Sequence, residues 1–321
     1  MKLKYQRIIQ AVVETPWAIL PQKFLVIRDL LALRATGERL TDEEIAERLA
    51  AGRPKNEEWR MENGEIGAAR SSNGGAAGGN SVAVLPLVGV IIPRADFFTE
   101  ASGGVSVQRF TQRFRQALAD PEVGSIVIDV DSPGGQVSGV EELSREIFDA
   151  RGQKPITAVA NSLAASAAYW IATAADELLV TPSGEAGSIG VLAMHEDISR
   201  WLDEQGLAIS LISAGKYKTE GNPFEPLSEE ARAAIQGRVD EYYDMFIAAV
   251  ARNRGVKRSD VRGGFGEGRV VGAKEAVSLG MADRVATLDE TVNRMLSGRS
   301  RRRAAAADLD FRRRRLRLHG N

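Results

Sequence analysis

Hydrophobic and polar positions alternate with two different periods in the central part of the chain. From Ser81 to about Ser297, short β-rich runs are interleaved with runs of helical spacing, which is typical of an α/β domain. The predicted strands are VAVLPLVGVII, SIVIDV, PITAVA, ELLVT, IGVLAM and AISLIS. The 3.6-residue spacing predicts helices around 107–118, 140–150, 165–174, 198–205 and 228–253.

The flanking regions differ from this central domain. Residues 1–69 are predicted to be a small helical N-terminal region, because FLVIRDLLALR has helical spacing and Thr41 to Glu44 resembles a capping box. Residues 70–80, RSSNGGAAGGN, have the composition of a flexible linker, so the domain is assigned to residues 81–297. Residues 298–321 hold nine arginines against two aspartates, which favours a disordered basic tail. Contact of this tail with nucleic acid or an acidic partner is the alternative.

The amino-acid composition excludes more classes of catalytic and metal site than the net charge does. The net charge of -1 gives no global attraction to nucleic acid or anionic lipid. The chain has no cysteine, which removes thiol nucleophiles and disulfides, and its two histidines, His195 and His319, cannot build a histidine-rich metal site. No apolar run reaches the roughly 18 residues of a membrane span, and the N-terminal residues do not have the pattern of a signal peptide. We therefore expect a cytoplasmic protein.

The first candidate site is Asp131-Ser132-Pro133-Gly134-Gly135, directly after the strand SIVIDV. Two adjacent glycines can present backbone N–H groups in conformations that other residues resist, which suits an oxyanion hole. An ordinary strand-to-helix turn is the alternative interpretation.

The second candidate is Ser166, which lies among alanines where a helix is predicted to start. Small neighbours let a substrate backbone approach the hydroxyl, and the amide of Ala167 at the helix N-terminus is a second candidate oxyanion donor. The alternative is a packing seam of small residues between helix and sheet.

A serine nucleophile needs a base, and histidine is nearly absent. His195 lies where a strand joins a helix, a position at which a cap or surface role is commoner than catalysis. Lysine can serve as a base when burial or nearby positive charge lowers its pKa from about 10.4 toward neutrality. Lys216 and Lys218 both follow AISLIS, and their spacing does not choose between them.

Four motifs in order, SPGG, LAASAAYWIA, GSIGV and GKYKTEGNPF, resemble the S49 serine peptidases, the signal peptide peptidase A group that includes phage head-maturation proteases. The resemblance covers residues 81–290. It implies a fold of repeated ββα units like that of the caseinolytic protease and the crotonases, with Ser166 as nucleophile, Lys218 as general base and Ser188 as the partner of the lysine ammonium. It also implies an oxyanion hole formed by Gly134 or Gly135 with the Ala167 amide. This chain departs from the family in having alanines after Ser166, where glycines are common.

The resemblance implies a serine endopeptidase that uses a Ser/Lys dyad and an acyl-enzyme, without metal or cofactor. The expected role is capsid maturation in a phage or prophage, with scaffold and capsid proteins as substrates. A viral protein of this kind is expected in the host cytoplasm or the phage prohead. A homo-oligomer is also expected, and whether Ser166 and Lys218 meet within one chain is left open. The alternatives are a signal-peptide-degrading peptidase, a crotonase-type acyl-CoA enzyme, and a non-catalytic capsid component.

Overall fold

The computed structural model describes residues 16–25, 27, 68–69, 81–94 and 104–297, and for 68–69 the backbone alone. The strands in this part are β1 Trp17–Ile19, β2 Ala68–Ala69, β3 Ser81–Val88, β4 Ile91–Ile92, β5 Val105–Ser106, β6 Val123–Ser132, β7 Gly134–Gln136, β8 Ile156–Ala165, β9 Glu177–Val180, β10 Glu185–Gly187, β11 Val270–Gly272 and β12 Arg284–Val285. The α-helices are α1 Val107–Ala119, α2 Val140–Asp149, α3 Ala167–Ala172, α4 Ser199–Glu204, α5 Glu229–Arg254, α6 Arg258–Gly264 and α7 Ala273–Ser278. A 3-10 turn spans Gly266–Gly268, and residues 21–25, 27 and 288–297 are also helical.

The larger sheet contains eight strands and is mostly parallel. Its path runs β11-β10-β8-β6-β3-β2, with β9 beside β8 and β12 beside β9. The strands β3, β6, β8, β9 and β10 are parallel where they pair, and β2 and β11 add antiparallel edges. A smaller sheet has the order β1-β7-β4-β5. The predicted α/β class is confirmed, because parallel strands need helical crossovers.

Strand β8 pairs with two different strands on the same side. Its first half, through Ala160, pairs with β9, and its last three residues, Leu163–Ala165, pair with β10. The run PITAVA was predicted to end at Ala160, but the strand continues to Ala165, and α3 begins only at Ala167. Ser166 is therefore a one-residue junction between a sheet strand and a helix.

The helix α3 is buried along its whole length. The indole of Trp170 stacks on Phe246 of α5 at 4.5 Å between ring centroids, and its Nε1 donates to Glu141 of α2 at 3.1 Å. The hydroxyl of Tyr169 donates to the carbonyl of Met281 at 2.9 Å. Because these side chains are fixed on three sides, the position of Ser166 at the start of α3 is also fixed.

Three strand predictions need correction. The run VAVLPLVGVII forms two strands in different sheets, because the chain turns at Gly89, which has a φ of 86°. IGVLAM is not a strand, and only Leu192 forms an isolated bridge there. AISLIS, residues 208–213, is not a strand either, because no strand edge of the described chain pairs with it. An extended segment needs such an edge for its backbone hydrogen bonds.

The predicted N-terminal helical region lies largely outside the described residues, including its capping-box residues 41–44 and its linker at 70–80. The described part of that region contains the strand Trp17–Ile19, which pairs with β7 in the smaller sheet. The basic segment 298–321 also lies outside the described residues.

Candidate active site

Ser166 and Ser188 lie side by side at the carboxyl ends of two neighbouring parallel strands. Ala165 of β8 is in register with Gly187 of β10, and each serine is the next residue along its chain. The amide of Ser166 donates to the carbonyl of Gly187 at 2.7 Å. The carboxyl ends of strands are where open α/β sheets place their ligands. Two of the predicted site residues therefore lie together.

Both serines have strained backbones. Ser166 has a φ of 55° and Ser188 a φ of 54°, and Glu267 is the one other residue besides glycine with positive φ in the described chain. Such a conformation costs about 1–3 kcal/mol, and it persists where surrounding structure enforces it, often at active sites. A nucleophilic serine on a strained strand-to-helix turn also occurs in α/β-hydrolases, where the turn exposes its hydroxyl.

Among the described residues, the hydroxyl of Ser166 bonds to the backbone. Its Oγ donates to the carbonyl of Gly190 at 3.3 Å, and the residue is fully buried. Its own carbonyl accepts the first bond of α3, from the amide of Trp170 at 2.9 Å. The amide of Ala167, as the first residue of the helix, has no intrahelical acceptor. The predicted oxyanion donor Ala167 thus adjoins the nucleophile.

The glycine pair packs directly against the serine. A Cβ atom on Gly134 would lie 3.0 Å from Cβ of Ser166, and the φ of Gly134 is 96°. A Cβ atom on Gly135 would lie 1.9 Å from the carbonyl oxygen of Ile91, in β4. Neither position therefore accepts a side chain, because backbone atoms already fill the space.

Ser132 connects this glycine pair to the rest of the structure. Its Oγ donates to the carbonyl of Gly89 at 2.6 Å and accepts the amide of Gly134 at 3.2 Å. The amide of Gly134 therefore has a partner within the loop. In the sequence, Ser132 is marked only by its place in the SPGG motif, which does not indicate these two hydrogen bonds. In the structure it is the last residue of β6 and is fully buried.

The Lys218 side chain is exposed in the described chain, whereas Ser166 and Ser188 are buried. No hydrogen bond or ion pair among the described residues joins Lys218 to either serine. Lys216, by contrast, donates to Glu230 at 2.9 Å and to the hydroxyl of Tyr217 at 2.7 Å. Within one chain, no described hydrogen bond therefore connects the predicted base to the nucleophile.

The segment that precedes these lysines carries exposed apolar side chains. Ile212 is 100% exposed, and the others in the segment are Leu207, Ile209 and Leu211. Apolar side chains spaced two apart are typical of a strand with one buried face. In the part of the chain that the structure describes, nothing buries that face.

The imidazole of His195 is hydrogen-bonded to Asn222 and not to Ser166. Its Nε2 lies 3.1 Å from the carbonyl oxygen of Asn222, and Ser166 Oγ bonds to Gly190 instead of to an imidazole. A Ser-His arrangement is therefore not formed in the described residues.

The carboxyl group of Asp129 in β6 has a shifted pKa. That pKa is raised to about 6, because burial and the nearby charge of Asp131 raise it more than a hydrogen bond from Asn161 at 3.1 Å lowers it. The described hydrogen-bond partner of this carboxyl group is the amide of Asn161, not Ser166.

The strain at Ser166 predicts an unusual order of stabilities. The free energy of unfolding of Ser166→Gly should exceed that of Ser166→Ala by about 1 kcal/mol. Glycine adopts a φ of 55° without strain, whereas alanine does not. Both variants lose the same hydroxyl, so they are matched. Urea unfolding would measure the difference, and greater stability of the alanine variant would contradict it.

Comparison with known proteins identifies relatives. Residues 149–300 match the model of peptidase family S49. Capsid assembly protease C of Escherichia phage lambda is 34% identical over 216 residues, which are 67% of this chain and 49% of that protein. Head-tail preconnector protein GP5 of Enterobacteria phage P21 is also 34% identical over 216 residues, 67% of this chain and 43% of that protein. Protease 4 of Salmonella typhi is 29% identical over 217 residues, 67% of this chain and 34% of that protein.

The chain spans about half the length of the two phage relatives, or less. In the described ranges, no helix combines the length and apolar character needed to cross a membrane.

Proposed function

We propose that this chain, which belongs to peptidase family S49, is a serine endopeptidase with Ser166 as its nucleophile. The observation that carries the proposal is the strained Ser166, buried beside Ser188 and Gly134 at the carboxyl end of the sheet. Relatives named as proteases support the activity at the level of peptide-bond hydrolysis.

The proposed mechanism assigns one role to each residue. Lys218 in its neutral form takes the proton of Ser166 while Oγ attacks the scissile carbonyl, and an acyl-enzyme forms when the resulting ammonium protonates the departing amine. Water, activated by the same lysine, then releases the acyl group. Ser188 accepts a hydrogen bond from the ammonium, and no described hydrogen bond already engages its hydroxyl. The amide of Ala167, together with that of Gly134 or Gly135, stabilises the oxyanion.

The dyad is completed between copies of the chain. Lys218 and the apolar segment before it are exposed in one chain, and a lysine base needs a buried environment. A neighbouring copy that covers Leu207, Ile209 and Ile212 would bury Lys218 as well. This arrangement requires a homo-oligomer with a head-to-tail interface, such as a ring.

Two further parts of the proposal, the type of fold and the class of substrate, are more specific than membership of the family. The two sheets and the strand-to-helix junction at Ser166 support the caseinolytic protease and crotonase fold. The names of the two phage relatives support capsid proteins as substrates and capsid maturation as the role.

A fluorophosphonate probe tests the proposed nucleophile. We expect the probe to add to Ser166, as measured by mass spectrometry of the digested protein, because an activated serine attacks phosphorus as it attacks a carbonyl. Ser166→Ala should abolish labelling. Ser162→Ala removes an exposed serine from the same strand and should leave labelling unchanged.

The same experiment separates the rival functions. A crotonase-type acyl-CoA enzyme needs the backbone oxyanion hole but no reactive serine, and a non-catalytic capsid component needs neither. Absence of labelling at Ser166 in the oligomeric protein would refute the proposed peptidase.

A further inference from the structure

The strand β1 lies between the two chain segments that flank Ser166. On one side Ala18 and Ile19 pair antiparallel with Gly135 and Gly134. On the other side Trp17 exchanges two backbone hydrogen bonds with Leu192, at 2.9 and 2.8 Å. Three residues from the N-terminal region therefore form the central strand of a three-stranded arrangement over the candidate site.

This central strand passes close to the nucleophile. The point that a Cβ of Gly134 would occupy is 2.2 Å from the carbonyl oxygen of Ala18 and 3.0 Å from Cβ of Ser166, so these two atoms are at most 5.2 Å apart (2.2 plus 3.0). The isolated antiparallel bridge at Leu192 joins β1 to the same segment that contains Gly190, whose carbonyl accepts from Ser166 Oγ. The strand β1 is therefore hydrogen-bonded to a segment that also bonds to the nucleophile.

An endopeptidase needs this space for its substrate. Peptides commonly bind as an added strand, with backbone hydrogen bonds to exposed strand edges. The edges beside Ser166 are those of Gly134–Gln136 and of Leu192, and β1 bonds to both. While β1 is paired with these two segments, neither of their edges is free to pair with a substrate strand.

Two of the three side chains of β1 belong to a cluster separate from the main core. Trp17 and Ile19 pack with Phe24, and the ring of Trp17 meets that of Phe24 edge-on at 5.5 Å between centroids. The partly buried members of this cluster are Ile27, Val90, Leu192 and Met194. In the strand itself, Ala18 alone belongs to the main core. Departure of the strand would therefore remove one alanine side chain from the main core, and the rest of the loss would fall on the smaller cluster.

We infer that Pro16–Leu20 is an internal competitor that occupies the substrate groove of this peptidase and must be displaced before a substrate binds. The inference rests on the proposed function, and it adds a regulatory contact to the same site. The occupant also indicates what the groove accepts: an extended segment with a small residue, Ala18, between two large apolar ones, Trp17 and Ile19.

A reversible covalent lock tests this inference. Trp17 and Gln136 are cross-strand neighbours, at a position where strand spacing suits a disulfide, and the chain has no other cysteine. In the double variant Trp17→Cys and Gln136→Cys, oxidation should lower kcat/KM for peptide substrates by about 100-fold or more, because the tethered strand cannot dissociate. Reduction should restore cleavage in the same molecules. Wild-type protein should not respond to the redox change.

A second variant releases the strand instead of locking it. Trp17→Asp should raise kcat/KM by about tenfold, because the groove is then open in most molecules. The peptide ETPWAILPQ, which has the sequence of residues 14–22, should inhibit this variant competitively. Leu25→Asp, which makes the same kind of change at an exposed position nearby, should match wild type.

Three outcomes would overturn the inference, and they differ in what else they refute. Equal cleavage by the oxidised and reduced forms, with Ser166 labelled by fluorophosphonate in both, refutes the competitor alone. Cleavage of the chain within residues 16–20 in wild type but not in Ser166→Ala would make the segment a substrate. If no form cleaves peptides and Ser166 is never labelled, the proposed peptidase fails and the competitor fails with it.

Discussion

Replacing Lys218 by alanine is expected to lower kcat/KM for peptide hydrolysis by about 10²–10⁴-fold, the range that a positioned general base supplies. The fold should persist, because the Lys218 side chain is exposed and makes no hydrogen bond or ion pair with any described residue. Hydrolysis of casein and of a candidate capsid protein, with circular dichroism as the check of folding, measures both parts of this prediction.

Lys216→Ala is the matched control, because Lys216 lies two residues away in the same exposed loop. It loses an exposed ion pair to Glu230, which is worth at most about 1 kcal/mol, and should retain activity. If Lys216→Ala were inactive and Lys218→Ala active, the base would be assigned to the wrong lysine.

Mixing two inactive variants tests where the dyad forms. Ser166→Ala supplies an intact lysine and Lys218→Ala an intact serine. If each site takes its serine and lysine from adjacent chains of a head-to-tail ring, random co-assembly should restore about a quarter of the wild-type activity. No recovery after demonstrated co-assembly would mean that both residues come from one chain.

Gly135→Ala is expected to lower both the stability of the protein and its activity, although it adds a single methyl group. Its Cβ would lie 1.9 Å from the carbonyl oxygen of Ile91 and 2.6 Å from its amide nitrogen, so β4 and β7 must separate. Overpacking of this kind costs about 1–3 kcal/mol or more. A displacement of about 1 Å at the oxyanion donors would lower cleavage by about 100-fold. Urea unfolding and peptide hydrolysis measure the two effects.

Gly237→Ala provides the control with the opposite sign. Gly237 lies inside α5, is exposed, and has open space at its Cβ position. Alanine there should stabilise the protein by about 1 kcal/mol, because helical glycine costs that much conformational entropy. If Gly135→Ala were as stable and active as wild type, the close packing of β7 on β4 would be wrong.

Local sequence patterns determined the α/β class and much of its element order. The run SIVIDV is mostly apolar because β6 is buried between β3 and β8. A strand in such a position favours apolar residues along its length, so the sequence alone indicates it. One apolar face predicted a helix around 107–118; the structure has the helix Val107–Ala119, with Val107, Phe110 and Phe114 buried on that face. Motif order likewise identified the S49 family, which the comparison confirms.

Tertiary structure alone decided how the site is assembled. The side-by-side position of Ser166 and Ser188 comes from the register of β8 with β10, and the strand Trp17–Ile19 exists because distant segments offer it two edges. IGVLAM and AISLIS have strand composition but lack such partners in the described chain. A local pattern records which residues favour an extended backbone. It does not record whether an edge far away in sequence will accept their hydrogen bonds, and this pairing is what makes a strand.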